Sequence, residues 1–160
     1  MKATRPAIQK YFDLLADTPR RLTAATAGVD EARLRLKPDP SGWSALDILA
    51  HLRACADVWG ASIESMLANE EPTLPNIHPR QWLTRTDYVE TPYFESFQLF
   101  SAQREKLLKT LKTLQFDGWS RGAEIGGRRH TVFTQARRMA KHEAEHCGQI
   151  EKELKNHPKS

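Results

Sequence analysis

The chain has 160 residues, of which 39% are apolar and 28% charged. That is the size and balance of one globular domain with its own core, spanning 1–160, and it excludes a disordered chain. No apolar run reaches the roughly 20 residues of a membrane span, and the excess of 24 basic over 20 acidic residues is too mild to mark a nucleic-acid surface.

The first helical pattern runs from about Pro6 to Ala27, with Ile8, Tyr11, Phe12, Leu15 and Leu22 at three- and four-residue steps. Met-Lys-Ala-Thr-Arg-Pro leads directly into it without a signal-peptide apolar stretch. Pro19 is expected to kink or divide this helix, and Gly28 to stop it. The stretch Lys37-Pro-Asp-Pro-Ser-Gly42 cannot be regular helix. A second helix opens at Ser44 as N-cap, with Asp47 three residues on and with Trp43 and Ile48 at the hydrophobic-staple positions. It continues to about Ala68.

Residues 69–90 contain Pro72, Pro75 and Pro79 without periodicity, and a connection this long is a crossover or a functional lid. The third helix is expected to start at Thr91-Pro92, capping residue then proline at the first helical position, and to run through Phe94, Phe97, Leu107, Leu111 and Leu114. Gly118, Gly122, Gly126 and Gly127 break the chain, and a fourth helix spans about Thr131 to Leu154, before Pro158. No strand pattern of similar strength is present. The expected fold is all-α, a four-helix bundle with a long crossover between helices 2 and 3, and almost no sheet.

His142-Glu-Ala-Glu-His146 stacks two histidines one helical turn apart, within reach of one metal ion. Formally it satisfies the H-E-x-x-H pattern of zinc proteases. That chemistry needs a further downstream ligand and a sheet beside the helix, and neither is predicted here. A third ligand must come from upstream, and His51 is the candidate. At roughly 100° per residue, His51 flanks the apolar face of Ile48, Leu52, Trp59 and Ile63, and His142 flanks that of Val132, Ala136, Met139, Ile150 and Leu154. Two helices packed through these stripes would bring the three imidazoles together, with positions left for water or substrate.

The stretch from Lys37 through Gly42-Trp43-Ser44 to His51-Leu52, followed by His142-Glu-Ala-Glu-His146-Cys-Gly-Gln149-Ile, resembles the DinB/YfiT-like superfamily of proposed metalloenzymes. Asp17-Thr-Pro19 fits that pattern too. The resemblance implies a four-helix bundle with the crossover, and a divalent metal, zinc or nickel, on His51, His142 and His146. It also implies dimers, and includes transferases and isomerases that use a low-molecular-weight thiol.

Other residues carry weaker signals. Cys55, one turn after His51, is a small core residue or a soft ligand at the same cleft; Cys147 faces its helix's apolar side. Two cysteines are too few for a disulfide framework, and the chain is expected to be cytoplasmic. Gln149 either binds a ligand or supports a histidine. Glu143 and Glu145 are expected to be solvated charges, with a general-base role as the sharper alternative. His78, His130 and His157 have no partner at metal spacing. Trp43 and Trp59 belong near the core, while Trp82 and Trp119 line a cleft or anchor loops. Arg128, Arg129, His130, Arg137, Arg138 and Lys141 lack interleaved aromatics and form a solvated face, with an anion near Arg128 or Arg138 as runner-up.

The expected function is a metal-dependent enzyme on a small-molecule substrate, a thiol-dependent transferase or isomerase, or a hydrolase. It has a three-histidine site whose affinity falls as pH drops through roughly 6.5, no nucleic-acid or membrane partner, and a homodimeric state. The alternative is a non-catalytic metal-binding or stress-associated protein; a weaker one is a helical interaction module.

Overall fold

A computed structural model describes residues 2–156; His157 and Pro158 lie outside the described residues. Helix α1 (Arg5–Thr26) starts at Thr4, whose side chain accepts from the Ala7 N–H. It runs through Pro19 undivided. The proline has no N–H to offer the Leu15 carbonyl, and that oxygen accepts instead from Arg104 Nη1 at 3.0 Å. Gly28, at φ +71°, ends the helix as expected.

A short α2 (Glu31–Arg35) precedes α3 (Ala45–Ala68). The Ser44–Asp47 capping box is present, and Lys37 pairs with Asp47 at 3.2 Å. In the connection that follows come β1 (Thr73–Leu74) and α4 (Pro79–Leu83). Helix α5 (Tyr93–Lys112) begins one residue later than the capping signal predicts, with Pro92 at the N-cap. Proline has no side-chain acceptor, and the Glu31 carboxylate of α2 takes the Tyr93 N–H at 3.0 Å.

After a 3₁₀ turn at Phe116–Ser120 come β2 (Gly122–Ile125) and β3 (Arg128–Thr131). They form an antiparallel hairpin around Gly126 and Gly127, at φ +59° and +77°, and β1 adds to β2 in parallel. The chain is mostly helical as expected, but this small three-stranded sheet goes beyond the almost sheetless bundle expected from the sequence. Two consecutive positive φ angles define the hairpin turn that Gly-Gly supplies. Helix α6 (Val132–Asn156) opens on reciprocal hydrogen bonds between Thr131 and Thr134.

The four long helices pack as a ring in the order α1, α6, α3, α5. Contacts between α3 and α5 advance together, from Arg53 on Ser96 to Asp57 on Gln103. Those between α3 and α6 run oppositely, from Trp43 on His146 to Trp59 on His142. Two apolar clusters fill the interior, one around Tyr11, Leu15, Ile63 and Phe133, the other around Leu22, Leu49, Tyr93 and Ile150. Among the described residues no helix is long and apolar enough to cross a membrane.

Candidate metal centre

Packing of α3 against α6 brings His51, His142 and His146 together, with one ligand atom from each lying within 4.8 Å of the others. His51 Nε2 and His142 Nε2 are 2.8 Å apart, and the His142 and His146 rings are 4.4 Å apart, as stacking one turn apart requires. Aromatic walls enclose the group. Trp43, fixed just before the α3 cap, lies 5.1 Å from the His51 ring and stacks on His146; Trp59 meets His142 edge-on at 5.4 Å. Outside those walls, Arg80 of α4 sits over Trp43 and Arg138 over Trp59.

Burial, reinforced by His142, His146 and Arg80, pushes His51 down to about 4, and burial followed by His146 also lowers His142. Both rings are therefore held neutral, the ligating form. Gln149 Oε1 lies 3.0 Å from His146 Nδ1 and, as an acceptor there, fixes the proton on Nδ1 and leaves the Nε2 lone pair free. Gln149 is thus a support for a histidine.

The donor set fits a divalent ion. Nitrogens at 2.0–2.1 Å from a tetrahedral centre stand roughly 3.3 Å apart, between the 2.8 Å contact and the 4.8 Å limit found here. His51 Nδ1 is buried without a partner, so no hydrogen bond holds that ring against a small turn.

Cys55 is buried, with Sγ 3.6 Å from His51 Nε2 and its thiol pushed up to about 12 by burial. It borders the histidines without belonging to the close group of three. Cys147 packs in the second apolar cluster.

Glu143 departs from the solvated charge expected of it. It is fully buried, accepting from the Thr18 hydroxyl at 2.8 Å and from Arg104 Nη1 at 2.6 Å, and its other oxygen also pairs with Arg104. With both oxygens engaged inside the bundle, it cannot serve as the base of a zinc-protease motif. Glu145 is exposed. Three polar residues escaped sequence reasoning as a unit: Thr18, Arg104 and Glu143 each interrupt an apolar stripe of its helix, and that was the available signal.

The basic cluster disperses. Arg129 pairs with Glu71 at 2.6 Å, while Arg138 rests on Trp59. Trp119 is core, and Trp82 donates to Asp57 at 3.0 Å, beside Tyr88 and Gln103, which hold the same carboxylate. His78 and His130 stand apart from the close group of three.

The family model described as the DinB superfamily matches residues 14–150. The solved structure of YfiT from Bacillus subtilis, described as a probable metal-dependent hydrolase with an unusual four-helix bundle topology, is similar in fold. Its TM-score is 0.82 and its sequence identity 16%, over 97% of this chain and 90% of that one. No curated protein sequence matches the chain.

Proposed function

The chain belongs to the DinB superfamily, and from that premise we propose that it is a metal-dependent enzyme whose three histidines hold a divalent ion, zinc or nickel. One observation carries the reading: three imidazoles converge between two tryptophans, with His51 and His142 disposed to stay unprotonated. What a divalent ion supplies when bound there is a Lewis acid that lowers the pKa of a water or thiol ligand toward neutrality. The chain's own residues prepare the place. Gln149 orients His146, Trp43 and Trp59 restrict water on two sides, and burial holds His51 neutral.

Three protein ligands leave positions for an exogenous nucleophile. The family resemblance favours a low-molecular-weight thiol, hence transfer or isomerisation of a small-molecule substrate. The description of YfiT favours water, hence hydrolysis. The non-catalytic alternative is favoured by Cys55, whose sulfur is 3.6 Å from His51 Nε2 and would close the shell. The parallel advance of contacts along α3 and α5 supports reading residues 69–90 as the crossover that returns the chain to the starting end of the bundle. A homodimer belongs to the same proposal.

The test is metal analysis of untagged protein, followed by two activity screens, low-molecular-weight thiols with electrophiles and esters in water, run beside His142→Ala. Metal-dependent turnover absent from the variant is expected in one screen. Full metal loading with no turnover in either would favour the non-catalytic reading.

A further inference from the structure

Behind Trp59, on the side away from the α3 start, lies a cavity of about 280 Å³ between α3, the strap at 75–79 and α6. Trp59 is shared, since it makes a T-shaped contact with His142 while it also lines the cavity. The polar wall has a definite character. Gln135 is 2% exposed and its Oε1 is buried without a hydrogen-bond partner. Arg138, held over Trp59, is the cation of the lining, and no carboxylate lines the space. Val58, Ser62, Pro75 and Ile77 also line a neighbouring cavity of about 180 Å³ that reaches Trp82 and is mainly apolar, its one carboxylate, Asp57, being taken up by Trp82, Tyr88 and Gln103.

This sequence of groups specifies a ligand. A cation with no opposing carboxylate favours an anionic end. An unpartnered buried amide oxygen favours an N–H or O–H donor next to it. The mainly apolar cavity beside it favours a hydrocarbon stem. We infer that these two neighbouring cavities together form the substrate-binding site, which takes a small carboxylate bearing an adjacent hydrogen-bond donor and an apolar tail, the carboxylate toward Arg138 and the tail under the strap. The inference rests on the metal-enzyme reading for the word substrate; the binding site itself does not.

N-hexanoylglycine has the three features in that order and serves as the probe, with its neutral amide and N-acetylglycine as comparisons. Indole N–H resonances report position, because Trp59 and Trp82 line the two cavities whereas Trp43 and Trp119 do not. Titration of metal-free and zinc-loaded protein should shift Trp59 and Trp82 and spare Trp43 and Trp119. The neutral amide and N-acetylglycine should both bind more weakly, and Arg138→Gln and Gln135→Leu should each weaken the probe about three- to tenfold. Arg138 is exposed, so its variant keeps the test valid if the buried substitution fails to fold. Shifts at Trp43 alone, equal binding of acid and amide, or no shift would overturn the inference. Zinc binding without probe binding would sink this inference and leave the metal reading standing; probe binding without zinc binding would do the reverse.

Discussion

Two polar clusters meet α6 at neighbouring residues and differ in how their hydrogen bonds are satisfied. Glu143 faces the bundle interior, where a forked pairing with Arg104 and a hydroxyl from Thr18 engage both carboxylate oxygens, and Arg104 also caps the carbonyl that Pro19 leaves bare. This layer separates the two apolar clusters. His142, one residue earlier, faces α3, where two Nε2 atoms confront each other at 2.8 Å and His51 Nδ1 has no partner. In the first cluster both carboxylate oxygens are engaged and only Arg104 Nε is without a partner; in the second, three imidazoles converge with no carboxylate or hydroxyl among them. An engaged ion pair marks a structural device, and converging imidazoles mark a place for a ligand.

Breaking the ion-paired cluster should produce the largest effect. Glu143→Ala strands a buried guanidinium, and such losses cost about 3–5 kcal/mol, readable by urea denaturation of metal-free protein. The double replacement Arg104→Met with Glu143→Leu should recover most of that loss, since matched apolar pairs replace buried ion pairs at little cost. A mild effect of Glu143→Ala would erase the contrast between the clusters.

Alanine at His51, His142 or His146 should do the opposite, with little change in metal-free stability but loss of most bound metal by elemental analysis. His78→Ala should retain it. If His51→Ala keeps full stoichiometry and affinity, the three-ligand assignment is wrong.

Acid should separate the clusters next. His51 accepts a proton at about 4 in the fold against 6.5 ordinarily, so between these values the unfolded chain binds more protons. Metal-free stability is then fully present above about pH 6.5 and is lost as pH falls toward 4; His142 is shifted in the same direction. His51→Ala should flatten that part of a stability–pH curve. For the same reason metal affinity should persist below the pH 6.5 at which ordinary histidines begin to lose it. The smallest effect belongs to Gln149→Ala, which frees the His146 ring and should weaken metal binding by roughly tenfold, measured by competition with a chelator.

What was legible in the sequence follows the range of the interactions. The α3 cap, the Gly28 stop and the stacking of His142 on His146 are local, and they were readable from a few neighbouring residues. His51 required two helices to pack through their apolar stripes, and the stripes contained that information. The hairpin went unread because β2 and β3 have only four residues each, although Gly126-Gly127 carried its turn. Glu143 misled because its partners lie 39 and 125 residues away. A charge on an apolar stripe announces burial, but the partner is chosen by tertiary packing.

The central claim is that the histidine site stays open, and Cys55 is the group placed to close it. Cobalt-substituted protein decides this, because thiolate coordination to cobalt gives a near-ultraviolet charge-transfer band. The account predicts no such band in the resting protein, its appearance when a small thiol is added, and undiminished cobalt binding in Cys55→Ser. A strong band in the resting protein that disappears in Cys55→Ser would show the sulfur completing the shell, and would contradict the account.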